Sequence, residues 1–137
     1  MPRAVLSKRE LEEVLGAECS NLLKDCIELP EEISLPDNEE VYEVSRLLKM
    51  LSSESKLEIL ALISQAPLPV SAIAKLTGKH QSLVSHHLSE LKIAGLVREK
   101  RLGKFRVYAI DKDKVNEVCL RMQKLLGTTQ RGPRPQR

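Results

Sequence analysis

The sequence predicts a mainly α-helical chain with one small β-hairpin, in which a helix-turn-helix runs directly into the hairpin. Three observations predict it. Apolar residues recur at spacings of three and four through most of the chain. Val70 to Gly78 and the stretch around Ser82 to Leu91 read as two short helices joined by a glycine-containing turn. Leu96 to Ile110 alternates apolar with polar around Leu102-Gly-Lys, the pattern of two short strands.

Taken in order, Ser7-Lys-Arg-Glu10 is a capping box. Leu11, Leu15, Cys19, Leu22 and Cys26 then form one apolar stripe, which predicts a single helix from about Lys8 to Ile27. Pro30 and Pro36 mark an acidic connector. Val41, Val44, Leu47, Leu48 and Leu51 make a second stripe, on a helix preceding the helix-turn-helix. Ser55 to Ile63 is amphipathic again and offers Leu57, Leu60 and Ile63 to the core, with Pro67 and Pro69 closing its far end. In the next helix Val70, Ile73 and Leu76 point inward, and Gly78 is the stop.

The following helix carries the most information. At about 100° per residue, Val84, Leu88 and Leu91 fall on one side, with His80 and His87 at its edges. Lys79, Ser82, Ser85, His86 and Ser89 fall on the other. Glu and Lys are better helix formers than Ser and would suit a merely solvated face. Three serines on one face therefore suggest a surface kept small for close approach. A DNA major groove admits such a helix and displays base-edge donors and acceptors. His86 points outward, and its charge changes near neutral pH; His87 is expected half-buried and hydrogen-bonded within the domain.

In the hairpin, Val97, Phe105, Val107 and Ala109 are expected inward, and Arg98, Lys100, Lys104, Arg106 and Tyr108 outward. With Arg101 there are five cations, and Glu99 is the single acid among them. Charge can protect a sheet edge from aggregation, but that explains one or two cations rather than five. Phosphate neutralisation explains them all. A last helix, from about Asp113 to Leu126, carries Val115, Val118, Cys119, Met122, Leu125 and Leu126 as a continuous stripe. The segment from Gly127 to Arg137 has no apolar residue and is expected to be disordered and basic.

The chain therefore divides into an acidic helix and connector (1–40), a core (41–112), a C-terminal helix (113–126) and a tail (127–137). Residues 1–40 hold four Lys/Arg and eleven Asp/Glu, net −7; residues 41–137 hold 18 and eight, net +10. The basic part is the nucleic-acid part. No apolar run approaches a membrane span and no signal-peptide pattern is visible, so a cytoplasmic protein without a membrane partner is expected. An enzyme is not expected: Ser85 and His86 are adjacent and diverge on a helix, and no phosphate-binding glycine loop or paired-carboxylate cleft is visible.

Val41 to about Leu126 resembles the ArsR/SmtB-like transcriptional repressors. The matching motifs are Leu-Ser-Ser-Glu-Ser-Lys-Leu-Glu-Ile-Leu, the segment from Val70 to Gly78, Val84-Ser-His-His-Leu, Ala94-Gly-Leu-Val and Gly103-Lys-Phe-Arg-Val-Tyr. The resemblance implies a dimeric winged helix-turn-helix that binds double-stranded DNA. It implies that Gln81, Ser82, Ser85 and His86 contact DNA, alongside Lys79 and Ser89 on the same face. Arg98, Lys100, Arg101, Lys104 and Arg106 would form or support the wing. It also implies a homodimer closed by the two flanking helices, through Val44, Leu48, Val115, Val118, Met122 and Leu125. A twofold dimer sets its reading helices ~34–36 Å apart, so an inverted-repeat operator is expected.

The likeness breaks at the sensor positions. Where metal-sensing relatives carry Cys-x-Cys, this chain reads Leu68-Pro-Val-Ser71, and its last helix has no histidine, so zinc at either site is not expected. Cys19, Cys26 and Cys119 have three readings. They are core residues, a thiolate site for As(III) or another soft metal(loid) effector, or a thiol switch. Cys19 and Cys26 lie about 10.5 Å apart along a helix, too far for a disulfide. The other reading of the whole chain is a winged-helix module that binds proteins within a transcription assembly.

Overall fold

The computed structural model describes residues 4–26 and 28–128 and divides into two units, the first running to Val41 and the second starting at Tyr42. In the first unit, strand β1 (Val5–Ser7) leads directly into helix α1 (Lys8–Leu15), followed by α2 (Ala17–Cys26) and β2 (Glu32–Ser34). Ser7 ends the strand and caps the helix: its hydroxyl accepts from the Glu10 N–H at 3.2 Å, as the capping box predicts. β1 and β2 pair antiparallel, with Leu6 opposite Ile33.

Three features of this unit differ from what the sequence suggests. The single helix from Lys8 to Ile27 is two helices, because Gly16 takes φ 80° and ψ 160°, a conformation in which a side chain would be strained. Ile27 itself lies outside the described residues. The connector after Pro30 is not wholly irregular, since it contains β2. The stripe of Leu11, Leu15, Cys19, Leu22 and Cys26 is not a buried face either: Leu22 is 66% exposed, and Cys19 and Cys26 are exposed.

The second unit contains most of helix α3 (Asn38–Leu51), then α4 (Glu54–Ile63), β3 (Leu68–Pro69), α5 (Val70–Thr77), α6 (Gln81–Ile93), β4 (Val97–Leu102), β5 (Phe105–Ile110) and α7 (Lys112–Leu126). Ser53 caps α4 by accepting from the Lys56 N–H. The core gathers Leu47 of α3, Ile59, Leu60 and Ile63 of α4, Ile73 of α5, the α6 trio Val84, Leu88 and Leu91, and Val118 of α7. Leu57 and Leu76, expected inside, are 54% and 66% exposed. Each lies about 110° around its helix from the centre of the buried face, whose places go to Ile59 and Ala74 instead. The helical spacing was right, and the expected face was rotated by about 50°, half a residue.

The three-stranded sheet has the order β3-β5-β4. β3 was not expected; Leu68 and Pro69 pair with Tyr108 and Val107, and the proline is tolerated because β3 is an edge strand. The hairpin register places Leu102 opposite Phe105, so the turn is only Gly103-Lys104, with Gly103 at φ 59°. Glycine first in a two-residue turn suits the type II′ form. This corrects the faces. Val97 shares its face with Tyr108 and Ile110, which pack on the core, and with Arg101 and Arg106. Arg98 and Lys100 share the other face with Ala109, Val107 and Phe105. Phe105 is 60% exposed rather than inward.

Candidate nucleic-acid interface

The reading helix is positioned by a turn and a buried face. Gly78 ends α5 in the left-handed conformation, its N–H donating to Ala74, and His80 begins α6 with its carbonyl accepting from Val84 N–H at 3.0 Å. Val84, Leu88 and Leu91 have no exposed surface, which fixes the rotation of the helix. Gln81, Ser82, Ser85, His86 and Ser89 are then exposed together. Lys79 is separated from them: it lies in the turn, half-buried, with its ammonium 3.2 Å from Glu58 of α4.

Beneath this face lies a charged network that the sequence reading missed. Lys56 of α4 donates to Glu90 of α6 at 2.8 Å, and the Lys56 side chain is only 11% exposed. The other Glu90 oxygen is 2.9 Å from His86 Nε2. The lysine hydrogen bond holds the Glu90 carboxyl below its ordinary range. The carboxylate therefore stays charged and restrains the His86 ring. The His86–Glu90 contact was legible as an i,i+4 pair on the one acidic position of the helix. Lys56, thirty-four residues away, was not. His87 is half-buried as expected, but its Nδ1 has no hydrogen-bond partner, with Glu90 at 4.0 Å. Burial, then the nearby Lys56 charge, depresses its pKa below the ordinary 6.5.

The wing cations fall into two groups. At the base, Arg98 donates to Asp111 at 2.8 Å, and Glu99 takes Lys92 at 2.6 Å and, from the rung next to the tip, Arg106 at 3.4 Å. Asp111 also caps α7 through Lys114 N–H, and that bond and Arg98 together lower its pKa. Its own N–H donates to Leu96, which closes the hairpin base. Lys100, Arg101 and Lys104 are exposed and form no salt bridge among the described residues. The five cations are not one uniform patch: two are held by acids within salt-bridge distance and three are not.

On the flanking helices, Val118 is part of its own chain's core and Val44 is 3% exposed, so neither is available at a dimer face. Leu48, Val115, Met122 and Leu125 are half-buried. Cys119 is exposed, so all three cysteines depart from the core reading. Among the described residues no three His, Cys, Asp or Glu side chains converge as a metal site. No helix among them is long and apolar enough to cross a membrane. The segment from 129 to 137, expected to be disordered, lies outside the described residues.

A buried helix-turn-helix, an exposed polar face on its second helix and a basic hairpin define a winged helix-turn-helix protein. The model of the bacterial regulatory protein, arsR family, matches residues 53–99. NmtR of Mycobacterium tuberculosis, an HTH-type transcriptional regulator, is 38% identical over 54% of this chain and 62% of its own length. MJ1325 of Methanocaldococcus jannaschii, another HTH-type regulator, is 33% identical over 58% of this chain and 91% of its own. The homodimeric winged helix-turn-helix DNA-binding domain of Mb0332 from Mycobacterium bovis superposes with a TM-score of 0.53 at 26% identity, covering 76% of this chain and all of that one. The chain belongs to the ArsR family of transcriptional regulators. It spans less than two thirds of the length of NmtR.

Proposed function

We propose that the protein is a homodimeric repressor that occupies an inverted-repeat operator in the cytoplasm, reading bases with α6 and gripping phosphates with the wing. The observation that carries this reading is the exposed row of Gln81, Ser82, Ser85, His86 and Ser89 beside three wing cations that form no salt bridge among the described residues. Hydroxyls and amides both donate and accept, which suits base edges. Free cations suit phosphates. The dimer is supported by the half-buried stripe of Leu48, Val115, Met122 and Leu125, by the 69% exposure of Leu126, and by the homodimeric state of the Mb0332 domain.

The test is selection of bound duplexes from a random library, with affinity then measured across salt concentrations. The expected result is an inverted repeat with half-sites about one helical turn apart and a steep linear fall of log affinity with log salt. A flat salt dependence with no enriched sequence would overturn the reading and favour a protein partner. Sedimentation of the free protein at the mass of two chains is the expected companion result.

A further inference from the structure

We propose that the end of the wing is an apolar wedge that enters the DNA minor groove and opens a base step beneath it. The inference rests on the DNA-binding reading above and adds to it a second, shape-dependent element of specificity.

Leu102 and Phe105 face each other across the last rung of the hairpin, 62% and 60% exposed. Single exposed apolar residues are ordinary on protein surfaces. Two opposed on the rung next to a two-residue turn are different, because the ribbon ends there and its tip projects them together. Phe105 is the only phenylalanine in the chain. Lys104 sits in the turn, Lys100 lies two rungs back on the same face, and Arg101 and Arg106 lie on the adjacent rung facing the other way. Three of these four cations have no carboxylate partner among the described residues.

That framing selects the occupant. An apolar protein surface would have to bury or displace the surrounding cations, at a desolvation cost. A polyanion neutralises them and also offers, between its phosphate rows, an apolar base stack. The minor groove is about 6 Å wide, too narrow for the body of a ribbon but open to a tip of one rung and a turn. Leucine and phenylalanine are among the side chains that partly unstack a base step from that groove and kink the duplex. Pyrimidine–purine steps unstack most readily, so each wing should favour such a step without making a hydrogen bond to it.

The experiment uses the full chain and a duplex that it has selected, with a fluorescent adenine analogue at the pyrimidine–purine step under the wing and a dye pair at the ends. Binding of the wild-type protein should raise the analogue's fluorescence and shorten the end-to-end distance. Leu102→Ala with Phe105→Ala should abolish both signals and weaken affinity about tenfold, with helical circular dichroism and the salt slope unchanged. Phe105→Leu should retain most of both signals. Permanganate reactivity of the thymine at the step, measured with wild-type protein, checks unstacking without any variant: enhanced oxidation is expected, and protection overturns the wedge. Retention of both signals by the double variant also overturns it and leaves the tip to a protein partner. If the wild-type protein selects no duplex, the DNA-binding reading itself fails, an outcome distinct from binding without unstacking.

Discussion

Helix α6 and the β4–β5 wing present polar groups in opposite ways. The helix commits one face entirely to the core and therefore offers every exposed group in one direction. The wing is a ribbon with cations on both faces, and what varies is how strongly each cation is already satisfied. Asp111 and Glu99 hold Arg98 and Arg106; Lys100, Arg101 and Lys104 form no salt bridge among the described residues. The difference separates two roles that a count of charges merges. Arg98 ties the hairpin to the start of α7 and Arg106 is tied to Glu99, while the other three are the ones proposed to meet phosphate.

The sharpest way to break this contrast is through two apolar residues. Leu88→Ala removes a side chain with no exposed surface from under the reading face and should lower stability by about 2–5 kcal/mol. Phe105→Ala, at the exposed tip, should change stability by less than ~0.5 kcal/mol. Urea denaturation of both variants checks this. A large loss for Phe105→Ala would mean that the tip is packed against something and not free.

A second comparison lies within the wing. Lys100→Ala, Arg101→Ala and Lys104→Ala combined should flatten the salt slope of duplex binding by about 2–3 units. Arg98→Ala should change it by less than about one unit, because Asp111 already takes that guanidinium. Equal effects per cation would erase the distinction between cations held by a carboxylate and those that are not. On the helix, Ser85→Ala with His86→Ala should reduce the preference for selected over random duplex by about 1–3 kcal/mol while leaving the salt slope in place. Competition binding at fixed salt separates the two.

The same contrast explains which parts were legible in the sequence. The faces of α6 followed from the 3.6-residue period, because Val84, Leu88 and Leu91 span enough turns to set the phase. The shorter α4 and α5 gave too few turns, and Leu57 and Leu76 were placed inside by a phase error of about half a residue. In the wing, a three-residue turn over Leu102-Gly-Lys would have paired residues of like parity. The observed Gly103-Lys104 turn pairs odd with even and so reverses every side chain of β5 relative to β4. Short-range charge pairs such as His86–Glu90 were within reach of spacing arguments. Lys56–Glu90 and Arg98–Asp111 were not, since they depend on the packing of separate elements. Gly16 was visible, but the apolar spacing that continued across it concealed the break.

The network under α6 gives the smallest effect and the finest test of how the helix is held. His87 has a pKa lowered by burial and by Lys56. Its contribution is therefore intact above the unfolded value of 6.5 and is lost as pH falls below it, where the unfolded chain takes up a proton that the folded chain resists. Glu90, lowered chiefly by the Lys56 hydrogen bond, acts at more acidic pH: its contribution is present above the ordinary carboxylate value of 4.5 and declines as pH falls toward the depressed one. Urea midpoints measured from about pH 8 to pH 4 should thus decline in two stages. His87→Gln should flatten the first stage and leave the second, while Glu90→Gln should reduce the second, to which the lowered carboxyls of Glu99 and Asp111 also contribute. Arg101→Ala should leave the first stage unchanged, since the wing holds no histidine, and can touch the second only through Glu99. If it shifts the first stage, wing and helix are coupled through charge, and their independence is wrong.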